Sequence, residues 1–313
     1  MSRLRRALVF GASGQIGQSL LPLLRAQNIE VLAISRQPRA EIDAAGVRWH
    51  NTNLDSNPAN ALPTDLPNNC DAIFSLGPLD AFARWQVRTG MIAPRVIAFG
   101  STSVLTKSAS LDAVEREVAQ RLRAAEDILF GFGAHHGVAI TLMRPTLIYG
   151  HGRDGTLTRI AGIAQRWGVF VLPRNAVGLR QPVHADDLAT AALACAQADH
   201  AAGRTYAMPG GETLSYRNMV ARVLATLQPR PRLLRLPNSL FQAAVATARR
   251  FDLIGGIGAG MLDRLDADLV FDAGDARRDF GYAPRRFEPT AAMFTAPTRR
   301  DKFRIYGERN ASG

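Results

Sequence analysis

The residues most suited to chemistry stand near the N-terminus. Gly11-Ala12-Ser13-Gly14-Gln15-Ile16-Gly17 is a G-x-x-G-x-x-G spacing that directly follows the apolar run Ala7–Phe10. Each glycine has its own job in a loop that holds a pyrophosphate. Gly11 permits the tight turn out of a strand, Gly14 lets the backbone approach the phosphates, and Gly17 lets the next helix pack on the sheet. A helix opening at Gln15 presents unbonded N–H groups and positive partial charge, so Ser13, Gln15 and Ile16 complete the cradle. Such a triplet gains weight only with a strand before it and a helix after it, and both are legible here. The loop therefore predicts a dinucleotide. The next apolar run, Val31–Ser35, ends where an acidic side chain would bind an adenosine ribose. Ser35 and Arg36 stand there instead. A guanidinium pairs with a 2′-phosphate, so this reading favours NADP over NAD.

The elements that position this loop follow from the hydrophobic pattern. Short apolar runs at Ala7–Phe10, Val31–Ser35, Val47–His50, Asp71–Leu76, Val96–Gly100 and Val138–Met143 predict strands. Helical patterns at Gln15–Gln27, Asp80–Arg88 and Leu111–Phe130 lie between them. Buried strands alternating with helices predict an α/β fold, a doubly wound parallel sheet (Rossmann) over residues 1–150. After Gly150 the glycines and prolines break this rhythm. Residues 151–298 read mainly as a smaller C-terminal substrate lobe, with a segment near 180–200 returning to the first domain. Within it, Asp186–Gln197 and Ser215–Leu227 predict helices, the second capped by Ser215. Leu233–Pro237 and Asp268–Phe271 predict short strands, and residues 299–313 form a basic tail.

Composition narrows the classes. The chain has 313 residues, 47% hydrophobic and 21% charged, which excludes disordered and fibrous classes. The basic start and the apolar run to Phe10 read as a first strand, not a signal peptide, because the glycine loop interrupts the run. The apolar stretch Leu240–Leu262 contains Arg249, Arg250 and Asp252, which argues against a membrane span and leaves an amphipathic helix on a membrane or a partner. Cys70 and Cys195 have no metal-ligand spacing and read as reduced thiols of a cytoplasmic protein. No cluster of His, Cys, Asp or Glu suggests a metal. The net charge of +11 is almost wholly arginine. It attracts anionic ligands, but the arginines are scattered and no nucleic-acid module is present, so no nucleic-acid partner is expected.

Taken together, several segments resemble the extended short-chain dehydrogenase/reductase superfamily, the NAD-dependent epimerase/dehydratase-like proteins, over about residues 7–290. Gly11–Gly17 is similar to its cofactor loop. Asn53-Leu54 falls where the family often has Asp-Leu at the adenine, and Ser75-Leu76-Gly77 on the loop lining the cofactor. Gly100-Ser101-Thr102-Ser103-Val104 resembles the active-site serine segment, with Ser101 at the catalytic position. Arg144-Pro145-Thr146-Leu147-Ile148-Tyr149-Gly150 resembles the segment beside the nicotinamide, and Arg180-Gln181-Pro182-Val183-His184-Ala185-Asp186-Asp187-Leu188 the family's Arg…His…Asp-Leu segment. The resemblance implies cofactor contacts from these residues, Pro145 among them, and an Arg180 that clamps an anionic substrate group.

The resemblance breaks at the catalytic pair. The family's Tyr-x-x-x-Lys would fall on Val118 and Leu122, and no tyrosine in the chain has a lysine four residues later. Valine and leucine transfer no protons. Three residues remain as substitutes: Ser101 as a hydrogen-bond donor, Lys107 just past the serine segment, and His184 after Arg180. His151, His135 and His136 are weaker candidates. Two functions follow. One is an atypical reductase, epimerase or dehydratase acting on a small or nucleotide-linked substrate through a non-standard proton donor. The other is a catalytically silent dinucleotide-binding protein with a structural, assembly or redox-sensing role. A peripheral membrane or protein partner, and an oligomer, are compatible with either.

Overall fold

Residues 4–36, 46–52, 54, 70–250 and 265–295 are described by a computed structural model. Along the chain these form β1 (Arg6–Phe10), α1 (Gln15–Ala26), β2 (Glu30–Ser35), β3 (Val47–Asn51), β4 (Ala72–Ser75), α2 (Leu79–Thr89), β5 (Arg95–Phe99), α3 (Ser103–Thr106), α4 (Ala113–His136), β6 (Ala139–Pro145), β7 (Ile148–Tyr149), α5 (Leu157–Trp167) and β8 (Val169–Pro173). Then come β9 (Leu179–Arg180), β10 (Val183–His184), α6 (Ala185–Gln197), β11 (Thr205–Met208), β12 (Leu214–Ser215), α7 (Tyr216–Ala225), β13 (Arg232–Leu236), α8 (Asn238–Arg250) and α9 (Gly274–Phe280). The strand expected at Asp268–Phe271 does not form. Asp268 instead accepts from the Leu179 N–H at 2.8 Å, and the Phe271 N–H donates to the Gln181 amide oxygen at 2.7 Å. Side chains thus take ladder bonds that a neighbouring strand would have made.

The chain divides into two compact units. The first comprises Met1–Leu147, Gln181–Thr213 and Leu269–Arg286. Its seven-stranded sheet has the order β11-β6-β5-β4-β1-β2-β3, and every pairing is parallel. It is an α/β Rossmann-like fold. The strand order reverses between β1 and β4, which makes the carboxyl end of β1 the topological switch point. Alternation along β1 sends Leu8 and Phe10 to the face that α2 and α4 cover, where Phe82, Trp85, Leu129 and Phe132 close the core. The Phe10 and Trp85 ring centroids lie 4.5 Å apart. Helices α1 and α6 pack against each other, and Ser19 donates to the Asp186 carboxylate at 2.6 Å between them.

The second, smaller unit comprises Ile148–Arg180, Leu214–Asp268 and Phe287–Gly313. Two short sheets organise it: β8 runs parallel to β13, and β9 antiparallel to β12. Asp154 starts α5 by accepting the N–H groups of Thr156 and Thr158, each at 3.0 Å. Ser215 caps α7, accepting from the Asn218 N–H at 3.2 Å.

Candidate functional site

The glycine loop sits at the switch point of the first unit. Gly11 has φ +71°, in the region that favours glycine. A Cβ on it would lie 2.8 Å from the Gly77 nitrogen and 2.9 Å from the Leu76 carbonyl carbon, so the loops after β1 and β4 touch through backbone alone. The Leu76 N–H reinforces this by donating to the Phe10 carbonyl at 3.0 Å. Gly17 is more demanding still: a Cβ there would stand 2.3 Å from the Ala12 carbonyl oxygen. No side chain caps α1, and no acidic residue lies in its first turn. Its opening N–H groups are thereby left for an anion. Beside them, the Ser75 hydroxyl is fully buried and has no hydrogen-bond partner among the described residues. A close-backbone cradle, an uncapped 12-residue helix and an orphaned hydroxyl at the switch point fit a dinucleotide.

The rim at the end of β2 is a serine pair. The Ser13 and Ser35 hydroxyl oxygens lie 2.7 Å apart, tying the glycine loop to the second strand. The Asn51 amide, turned to donate, reaches the carbonyls of Ser35 at 3.0 Å and Arg36 at 3.2 Å. Leu54 packs on the hydrophobic core and accepts from Arg88 at 3.2 Å through its carbonyl. Asn53 lies outside the described residues.

On the other side of the crevice, the serine segment is pinned to the end of β6. Gly100 N–H donates to the Met143 carbonyl at 2.8 Å, and both the backbone N–H and the hydroxyl of Thr102 donate to the Pro145 carbonyl at 3.2 Å. Ser101 accepts the Ser103 N–H on its hydroxyl oxygen at 3.1 Å, which leaves its own proton available to donate. Helix α4 runs behind this loop. Val118 and Leu122 are half-buried on it, and Leu122 packs against the core. Carboxylates bracket these two apolar positions. Glu115, one turn before Val118, is buried, accepts from the Ser110 hydroxyl at 2.9 Å and lies 3.6 Å from the Lys107 ammonium. Glu126, one turn after Leu122, is buried and pairs with Arg144 in a two-point bond, Nε to Oε1 at 2.8 Å and Nη2 to Oε2.

Neither carboxylate stands out from the sequence, since a helix rich in Glu and Arg reads as a solvated face. The signal available was position: Glu115, Val118, Leu122 and Glu126 share one stripe at helical spacing, and that stripe continues into the buried Leu129 and Phe132.

The remaining candidates have structural partners. His184 is buried, and its Nδ1 accepts from the Asp186 N–H at 3.1 Å to cap α6. Arg180, in the second unit, donates to its own Leu179 carbonyl at 2.8 Å and to that of Ala267 at 2.7 Å, and its guanidinium carbon lies 5.4 Å from the Tyr216 ring centroid. Burial lowers the Arg180 pKa, with Tyr216, Asp268 and Asp266 opposing it, and burial pushes the Tyr216 hydroxyl up to about 12. His135 and His136 are the last residues of α4, and His151 lies in the second unit. Among the described residues no group of three or more His, Cys, Asp and Glu could hold a metal, and no helix is long and apolar enough to cross a membrane.

The model of the NAD dependent epimerase/dehydratase family matches residues 7–110, which span the glycine loop, β1 to β5 and the serine segment. That match covers the first third of the chain. Solved structures share its fold along nearly the whole chain. WbmF of Bordetella bronchiseptica, in complex with NAD+, is 16% identical with a TM-score of 0.65, over 94% of this chain and 92% of that one. UDP-glucuronic acid 4-epimerase from Bacillus cereus, in complex with NAD, is 12% identical with a TM-score of 0.67, over 92% and 98%. The epimerase Mth375 of Methanothermobacter thermautotrophicus is 13% identical with a TM-score of 0.68, over 91% and 89%. An uncharacterized protein of Sinorhizobium fredii, y4nG, is 26% identical over 151 residues, 48% of this chain and 37% of that protein. The chain thus spans little more than a third of that relative's length.

One expectation is overturned. The reading of Ser35-Arg36 favoured NADP, yet WbmF is captured with NAD+ and with NADH, and the Bacillus epimerase with NAD. The physical reason lies at the end of β2. Arg36 is solvent-exposed, and among the described residues its carbonyl is engaged by Asn51. An exposed guanidinium on a long side chain has no fixed position from which to select a 2′-phosphate.

Proposed function

We propose that this chain binds NAD(H) at Gly11–Gly17 and acts on an alcohol or carbonyl of a small or nucleotide-linked substrate, with Lys107 and Glu115 handling the proton in place of a tyrosine. Support for the cofactor comes from the cradle after β1 and from the NAD complexes of similar folds. Support for the substrate class comes from the Bacillus epimerase, named for a UDP-sugar. One observation carries the proton assignment: the Lys107 ammonium lies 3.6 Å from Glu115, which sits one turn before the position of the missing tyrosine.

When bound, the nicotinamide supplies hydride exchange. The chain's own residues must then hold the substrate oxygen and accept or return its proton. The Ser101 hydroxyl donates a hydrogen bond to that oxygen. Lys107 gives its proton to the substrate oxygen on reduction and takes it back on oxidation, and Glu115, buried beside it, fixes the direction of the ammonium. Val118 and Leu122 supply no proton, so this exchange falls to Lys107 and Ser101.

Turnover of NADH against a panel of carbonyl and UDP-sugar substrates tests this reading. Lys107→Met should lower kcat by about 10²–10⁴-fold while NADH binding is unchanged. A variant as active as the wild type would overturn the assignment.

The two apolar side chains at 118 and 122 favour a second reading, a catalytically silent dinucleotide-binding protein. Stoichiometric NADH binding with no turnover on any panel member by the wild type would select it.

A further inference from the structure

The positive charge of this chain is segregated. The first unit holds 20 Lys and Arg against 19 Asp and Glu, a net of +1, whereas the second holds 18 against 8, a net of +10. Ion pairs in the first unit show how its cations are absorbed: Arg6 with Glu30, Arg95 with Asp199, Arg144 with Glu126, Arg204 with Asp279 and Arg285 with Asp187. The second unit is different. Arg166, Arg174, Arg230, Arg232 and Arg235 are all exposed, and none of the five is ion-paired among the described residues.

These five cluster about one element, the two-stranded sheet β8–β13. Arg166 lies in the last turn of α5 just ahead of β8, Arg230 stands two residues before β13, and Arg232 opens β13. The Arg232 N–H donates to the Gly168 carbonyl at 2.9 Å, and at the other end the Arg174 N–H donates to the Leu236 carbonyl at 2.9 Å. Large apolar side chains stand exposed among them: Trp167 at 49%, Leu234 at 46% and Leu240 at 57%. The Arg166 guanidinium carbon lies 5.4 Å from the Trp167 ring centroid.

We propose that the second unit docks on an anionic lipid surface through the face of β8–β13 that carries Arg232 and Leu234. Charge complementarity names the occupant. Unpaired arginines gain from acidic headgroups, Trp167 suits the interfacial layer, and Leu234 and Leu240 gain by entering the acyl boundary. A nucleic acid would use the arginines and leave both leucines in water, so the lipid is the better fit.

Vesicle co-sedimentation of the full chain tests this, using phosphatidylcholine with or without about 30 mol% phosphatidylglycerol. Binding is expected only to the phosphatidylglycerol vesicles, and it should weaken steeply with salt. Each arginine near such a surface contributes about fivefold in affinity, so Arg232→Glu should cost at least about fivefold. Arg232→Lys should bind nearly as wild type, and Leu234→Ser should weaken binding at constant salt dependence. Equal binding to both vesicle types, no binding to either, or retention on a DNA duplex without vesicle binding would each overturn the proposal. Thermal melts of the surface variants matching the wild type separate lost docking from lost folding.

Discussion

The Glu126 carboxylate and the Arg144 guanidinium meet in a two-point bond directly beneath Gly100, where a Cβ would come within 3.2 Å of the Glu126 Oε1. One buried pair thus joins three things: helix α4, the end of β6 and the loop that carries Ser101. Removing one partner strands a buried charge, which is costlier than the pair itself is favourable. Glu126→Ala should lower stability by about 3–5 kcal/mol, read by urea denaturation. Loss below about 1 kcal/mol would mean that water already reaches the pair.

Gly17→Ala should damage the cofactor cradle more than any other one-atom change. The added Cβ meets the Ala12 carbonyl at 2.3 Å, and neither backbone can yield without moving α1 off the sheet. A stability loss of about 1–3 kcal/mol and at least a tenfold loss of NADH affinity are expected, measured by thermal melting and by fluorescence titration. An unchanged titration would place the ligand elsewhere.

A pH effect follows from Asp279 on α9. The Tyr206 hydroxyl donates to it at 2.8 Å and Arg204 at 2.6 Å, and these bonds hold its pKa below the ordinary carboxylate value, the tyrosine first. A depressed folded-state pKa contributes stability that is present above the unfolded value and lost as pH falls through the folded one. Wild type should therefore exceed Asp279→Asn in Tm near neutrality, and the gap should close on acidification below about pH 4. A gap constant with pH would assign the residue a purely steric role.

The two thiols should be silent in the folded protein. Burial raises Cys70 to about 11 and Cys195 to about 12, so both stay protonated at pH 8. A chromogenic disulfide reagent should label neither cysteine in the native state and both in guanidinium. Rapid labelling of the native chain would contradict their burial.

The sheet was legible because its strands are buried on both faces and read as unbroken apolar runs between helical periods. Ser215 and Asp154 show the limit of such reading: one cap was visible as a serine before a helix, the other lay among glycines that spoke only of loops. The cofactor loop was legible because three glycines have separate steric reasons to be there. Arg36 misled because a charge was read without its exposure. Glu115 and Glu126 escaped because their burial depends on how α4 packs on the serine loop and on β6, which side-chain pairing with Ser110, Lys107 and Arg144 decides and no periodicity reports.

The seventh strand has a consequence in time. β11 completes the sheet beside β6, yet about 60 residues separate the two in sequence. At about 5–20 residues per second, a nascent β6 waits roughly 3–12 s before its neighbour is synthesised. Throughout that interval its edge offers unpaired N–H and C=O groups to any passing strand. The vulnerable moment of this protein is therefore set by chain order, before the cofactor crevice has anything to bind.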